Sequence, residues 1–203
     1  LLKSAQVFEY INHAQDYGIT VKNANADFPS MIKRSRDVAD GMSNGIDYLF
    51  KKNKIEVING FGKVKPNNKV SVTNDNKTTD YTAKHIIIAT GARSRELPNL
   101  PQDGKKVIGY REALVLPSAP KKMVIVGSGA IGVEFAYFYN AIGTDVTLIE
   151  FMPNIVPVED LDISKQLQRS FKKTGIKVMT NSSVESVDKS GNGCKVLVKT
   201  KKG

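Results

Sequence analysis

Apolar residues keep helical spacing through the opening of the chain and alternate with polar ones after Ile55. Val7, Phe8 and Ile11 share one side of a helix predicted from Leu1 to about Asp16, with Gly18 as its stop. A longer helix starts between Asp27 and Ser30, where Asp27 can cap and Pro29 suits the first turn. Met31, Val38, Met42, Ile46 and Leu49 continue its apolar face, and Lys51, Lys52 and Lys54 suit the negative end of its dipole. From Ile55 the segments "KIEVINGFGKV", "NKVSVTN" and "TDYTAKHIIIATG" predict short strands separated by turns rich in Gly, Asn and Lys. His85 opens the run expected to be most buried, and at a strand edge it reads as structural.

Residues 92–120 carry Pro98, Pro101, Pro117 and Pro120, the mark of a connection. A domain boundary is expected between Pro117 and Pro120, dividing the chain into residues 1–118 and 119–203. Beyond it, strands and helices alternate, which predicts an α/β fold. Met123 to Val126 is expected as a strand buried on both faces, followed by a helix with the stripe Val133, Ala136, Tyr137 and Ala141 and a stop at Gly143. Val146 to Ile149 is the next strand. A turn, "FMPNIVP", leads to a helix carrying Ile163, Leu167 and Phe171. Strands at Ile176 to Met179, Val184 to Val187 and Lys195 to Val198 follow, the last two joined through Gly191 to Gly193.

The joint between the first strand and helix of this second half carries chemistry. Gly127, Gly129 and Gly132 stand in the spacing G-x-G-x-x-G after an apolar strand and before a helix, the context that gives this pattern meaning. The first glycine permits the tight turn, the second lets backbone approach a pyrophosphate, and the third lets helix lie close on strand. Phosphate then sits against unpaired N–H groups at the positive end of the helix dipole. Glu150 ends the second strand, 18 residues beyond Gly132, where the acid that binds a nucleotide ribose belongs. Its carboxylate would repel a 2′-phosphate, and no arginine occurs between Arg111 and Arg169 to hold one. The expected cofactor is NAD; a βαβ unit with tight turns and no ligand is the bland alternative.

Composition narrows the classes. The chain has 203 residues, 40% of them hydrophobic, with no apolar run long enough to span a bilayer and no signal-peptide pattern. Its single cysteine, Cys194, forms no internal disulfide, agrees with a cytoplasmic setting and reads as structural or incidental. The net charge of +10 is spread along the chain in lysine pairs without an interleaved aromatic motif, so a solvated basic surface is expected, with neither nucleic acid nor membrane as partner. No metal cluster, nucleophile elbow or paired catalytic carboxylates are visible.

"HIIIATGARSRELP" resembles the second flavin-binding segment of two-dinucleotide-fold flavoproteins, in which a nicotinamide domain is inserted into the FAD domain. That arrangement accounts for a glycine motif placed so late. The chain resembles dihydrolipoamide dehydrogenases, of the pyridine nucleotide-disulfide oxidoreductase family, over essentially its whole length. "LLKSAQVFEYINHAQDYGI" resembles the helix after the family's redox-active C-x4-C, "NGFGKV" a flavin-domain strand, and "MVIVGSGAIGVEFA" with "VTLIEFMPNIVP" the NAD segment. Glutathione reductase types usually have alanine at the Gly132 position, and Ala130 stands where such relatives often carry a tyrosine gate.

The resemblance implies a partial FAD-binding domain over residues 1–118 and a partial Rossmann-like NAD-binding domain over 119–203. It implies an NAD site at Gly127, Ser128, Gly129, Ala130, Ile131, Gly132, Val133, Glu134, Glu150 and Val184. Gly62, Thr90, Gly91 and Ala92 are implied at the FAD site, and no catalytic residue or metal ligand is assigned. In relatives the residue at Glu134 pairs with a lysine near the flavin. The FAD glycine loop, that lysine and both redox cysteines are expected upstream of Leu1, and the remaining nicotinamide strands and an interface domain with catalytic histidine and glutamate beyond Gly203, both ends being cuts.

The activity implied for a full-length parent is oxidation of a protein-bound dihydrolipoyl group by an enzyme disulfide, electron passage through FAD, and hydride transfer to NAD⁺. Lipoyl domains of 2-oxo acid dehydrogenase complexes are the implied partners, and the parent is expected to be a cytoplasmic homodimer. The chain alone is expected to be inactive. Related mercuric, CoA-disulfide or peroxide reductases stay open as alternatives, as does a non-catalytic nucleotide-binding module.

Overall fold

The glycine-rich joint lies where a strand, a helix and a second strand meet. The computed structural model describes residues 1–201 and 203. The helices are α1 (Leu2–Asn12), α2 (Phe28–Lys52), α3 (Tyr110–Ala113), α4 (Ala130–Ala141) and α5 (Leu161–Lys173). The strands are β1 (Phe61–Lys65), β2 (Lys69–Asn74), β3 (Lys77–Thr82), β4 (Lys122–Val126), β5 (Asp145–Ile149), β6 (Lys177–Met179), β7 (Ser183–Asp188) and β8 (Lys195–Lys199). Two compact units result: residues 1–36 with 94–203, and residues 37–93.

In the larger unit β4, β5 and β6 form a parallel sheet in that order. β5 is central, and Val146, Leu148 and Ile149 on it are almost fully buried. β4 lies at an edge, and it departs from the expectation of a strand buried on both faces. Met123 and Ile125 pack on the core while Val124 and Val126 remain about 40% exposed, because α4 covers only one face of this edge strand. α4 is apolar almost all round and buries Ala136, Phe138 and Tyr139. The N-terminal segment adds to the same core: Ala5 of α1 is buried, and the Phe28 ring lies 6.2 Å from those of both Phe138 and Tyr139. Tyr137 Oη donates to Glu9 Oε2 at 2.6 Å, tying α4 to α1.

Local signals placed the start of α2, whereas the first helix ends at Asn12, short of the expected Asp16. The Asp27 carboxylate accepts from Ser30 N at 3.0 Å and Ser30 Oγ at 2.7 Å, an N-terminal cap as expected. Asp160 caps α5 by accepting from Asp162 N and Ile163 N. Gly18 closes the short 3₁₀ turn Ala14–Tyr17 in left-handed conformation. The apolar stripe expected on α5 is shifted: Phe171 is buried, but Ile163 is exposed and Ser164 takes the inward position.

In the smaller unit β1, β2 and β3 form an antiparallel meander. Asn67 and Asn68, then Asp75 and Asn76, take positive φ at its two turns, the conformation that hairpins with right-twisted strands require. Two expectations fail here. Residues 55–60 precede the ladder rather than join it, and residues 85–91 form no strand, with Ile87 90% exposed and Ile88 71% exposed. β-propensity acts only through a pairing strand and a covered face, and among the described residues no ladder includes this isoleucine run. The exposed Val38, Met42, Ile46 and Leu49 of α2 make the same point: periodicity formed the helix, but their face is not buried.

Candidate nucleotide site

The three glycines of the β4–α4 joint differ in what a side chain would meet. Gly127 has φ +97°, which L-residues rarely adopt, and its N–H donates to Ile149 O at 2.8 Å, tying the loop to the end of β5. Gly129 is the residue preceding α4, and a Cβ there would meet nothing within 4 Å. Gly132 has no such room: a Cβ would collide with the carbonyl oxygen of Gly127. The turn, the open approach and the close helix-strand contact are thus divided among the three residues as the spacing predicts. α4 has no acidic side chain of its own in its first turn.

Glu150 lies immediately after β5 and is 7% exposed. Its Oε2 accepts from Ser128 N at 2.8 Å and from Ser128 Oγ at 2.6 Å, and its Oε1 accepts from Met152 N at 2.8 Å. Burial alone would raise its pKa, but the bonds from Met152, Ser128 and Phe151 outweigh it and hold the carboxyl below its ordinary range. The acid and the glycine loop are therefore one hydrogen-bonded unit. Ser128 is fully buried, so its hydroxyl serves Glu150, while Ala130, Ile131 and Glu134 are exposed on the first turns of α4 and Val133 is half-buried.

Sequence reading missed the second ring of this site. Ser128 O accepts from Val156 N at 2.9 Å, and Glu150 O accepts from Ser182 N at 2.9 Å. Val156 has φ +40°, a strained conformation for a β-branched residue, and its side chain is buried. The following Pro157 gave no signal for it, since proline biases the preceding residue toward extended backbone with negative φ. Val184, implied at the NAD site, is buried at the start of β7 and its carbonyl accepts from Asn99 Nδ2 at 2.8 Å.

The residues implied at a flavin are not assembled in this way. Gly62 pairs with Val72 in the β1–β2 ladder, whereas Thr90, Gly91 and Ala92 lie in an irregular exposed segment outside that ladder. None of them stands at a helix N-terminus. Cys194 is exposed just before β8. A groove of about 480 Å³ between α5 and β6, lined by Lys165, Arg169, Lys172 and Lys177, opens beside the first residues of β6, at the end of the sheet away from the glycine loop. Among the described residues, no helix is long and apolar enough to cross a membrane.

Residues 4–203 match the family model described as pyridine nucleotide-disulphide oxidoreductase. The chain is 42% identical over 194 residues to a dihydrolipoyl dehydrogenase of Zymomonas mobilis, covering 95% of this chain and 42% of that protein. It is 39% identical over 219 residues to a dihydrolipoyl dehydrogenase of Rhizobium etli, covering 100% of this chain and 46% of that protein. Among solved structures, LpdA of Mycobacterium tuberculosis superposes with a TM-score of 0.86 at 26% identity, over 98% of this chain and 44% of that one. The chain thus spans less than half the length of these relatives. With its mixed α/β fold and a family match over nearly its full length, the chain belongs to the pyridine nucleotide-disulphide oxidoreductases.

Proposed function

We propose that the chain is part of an NAD-dependent dihydrolipoyl dehydrogenase, a flavoprotein that reoxidises protein-bound dihydrolipoamide through a redox disulfide and FAD. In this reading residues 1–118 belong to the FAD-binding domain and residues 119–203 to the NAD-binding domain. The parent is a cytoplasmic homodimer that serves lipoyl domains of 2-oxo acid dehydrogenase complexes. The relatives' shared name and the family's use of FAD and NAD support it. The observation that carries it is the Glu150 carboxylate hydrogen-bonded to the glycine loop, with no arginine nearby in sequence.

NAD⁺, when bound, supplies a hydride acceptor. The work of this chain is to bind and orient it: backbone N–H groups at the start of α4 face phosphate, the bare Gly129 gives it room, and Glu150 accepts from ribose hydroxyls. Gly62, Thr90, Gly91 and Ala92 contribute at most an edge of a flavin site, having no anion-binding helix terminus of their own.

Titrating the chain with NADH and NADPH tests the reading. NADH should bind the more tightly, and Glu150→Arg should narrow or reverse the difference. Tighter binding of NADPH by the unaltered chain would defeat the cofactor assignment.

A further inference from the structure

Glu150 is a buried acid with no cationic partner among the described ion pairs. Two of its donors come from one residue. Ser128 bonds Oε2 through both its N–H and its hydroxyl, and its own carbonyl is held by Val156 N. The serine side chain is itself completely buried and turned to the acid. An alanine at this position would keep the backbone bond and remove the shorter one, so that Oε2 is held by one Ser128 donor instead of two. A carboxylate accepts about four hydrogen bonds; three come from Ser128 and Met152 and orient it, and the Phe151 N–H also faces it.

We propose that Ser128 is a positioning residue for nucleotide selection: its buried hydroxyl holds the Glu150 carboxylate in the orientation that accepts an unphosphorylated ribose and repels a 2′-phosphate. The assignment rests on the reading of this loop as an NAD site. It differs from a role in stiffening the turn because it acts through one acceptor, and its effect disappears when that acceptor loses its charge. The groups facing Glu150 are the Ser128, Phe151 and Met152 donors, and no charged side chain is among the causes of its lowered pKa. The hydroxyl is thus one of the donors, after the Met152 N–H, that lower the carboxyl's pKa against the effect of burial.

The test is a double-mutant cycle on the 203-residue chain with Ser128→Ala, Glu150→Gln and the pair, reading NADH and NADPH affinity by fluorescence titration. Ser128→Cys, nearly isosteric and a weak donor, repeats it without leaving a cavity. Ser128→Ala should weaken NADH about tenfold, as expected for loss of a bond to a charged group, and should affect NADPH far less. In the Glu150→Gln background it should have little further effect. Carbon-detected NMR of the Glu150 carboxyl should show its titration moved to higher pH in both serine variants. Equal losses in both backgrounds, or an unmoved Glu150 titration, would overturn the Ser128 assignment while leaving the NAD reading intact. Failure of the unaltered chain to bind either nucleotide would defeat the NAD reading itself, and the selection role with it.

Discussion

A single methyl group separates the roles of two glycines in the β4–α4 loop. Gly132→Ala pushes Cβ into the Gly127 carbonyl and should destabilise the chain by roughly 3 kcal/mol, read by urea unfolding. Gly129→Val meets open space, so its stability cost should stay near the ~1 kcal/mol of a poorer cap while NADH affinity falls at least tenfold. Equal stability losses at the two positions would contradict this division. Glu150 makes a prediction in pH. Its folded pKa is depressed, so the stability it contributes is complete above the ordinary glutamate range near ~4.3 and is lost as pH falls through the folded value. Thermal unfolding of the parent chain should therefore drop more steeply below about pH 4 than that of Glu150→Gln. Parallel curves would show that the carboxylate is not stabilised by folding.

Helix α4 links the glycine loop to the core, and its anchoring is visible in one side chain. Tyr139 is fully buried and its hydroxyl donates to Ala113 O at 2.6 Å, at the end of α3. Burial pushes its phenol up to about 12, so it remains a donor throughout the neutral range. Tyr139→Phe should leave that carbonyl without this donor and cost about 1 kcal/mol, with far-ultraviolet circular dichroism unchanged. No loss of stability would mean that the Ala113 carbonyl is satisfied by solvent instead. The element-level reading of the sequence was soundest where termini are governed by short-range chemistry: Asp27, Gly18 and the Asn-rich turns all sit where their side chains or φ values require.

For the molecule as a whole, the predicted behaviour follows from what 203 residues contain. The chain holds one cysteine, exposed and outside any disulfide, and among the described residues the one glycine loop at a helix N-terminus is the loop proposed to hold NAD. The isolated chain should therefore bind NADH without catalysing NAD⁺ reduction by dihydrolipoamide, even with added FAD. It should also lose any yellow colour on desalting. Steady turnover or a retained stoichiometric flavin would overturn the site assignments. β4 presents an open edge with half-exposed valines, so association at high concentration, measured by light scattering, should accompany the isolated chain.

The sequence by itself determined the strand-helix-strand order after Pro120, the three glycine positions, the terminal acid and the helix caps. Each of these depends on residues a few positions apart, where φ preference, side-chain reach and helical period operate. Tertiary structure alone decided that residues 85–91 are unpaired, with Ile87 and Ile88 exposed, that β4 is covered on one face, and that Ser164 rather than Ile163 turns inward on α5. It also decided that Ser128 and Glu150, 22 positions apart, share two hydrogen bonds in a buried site. Pairing and burial depend on which distant segments arrive at a surface, and a periodic pattern specifies a face without specifying what meets it.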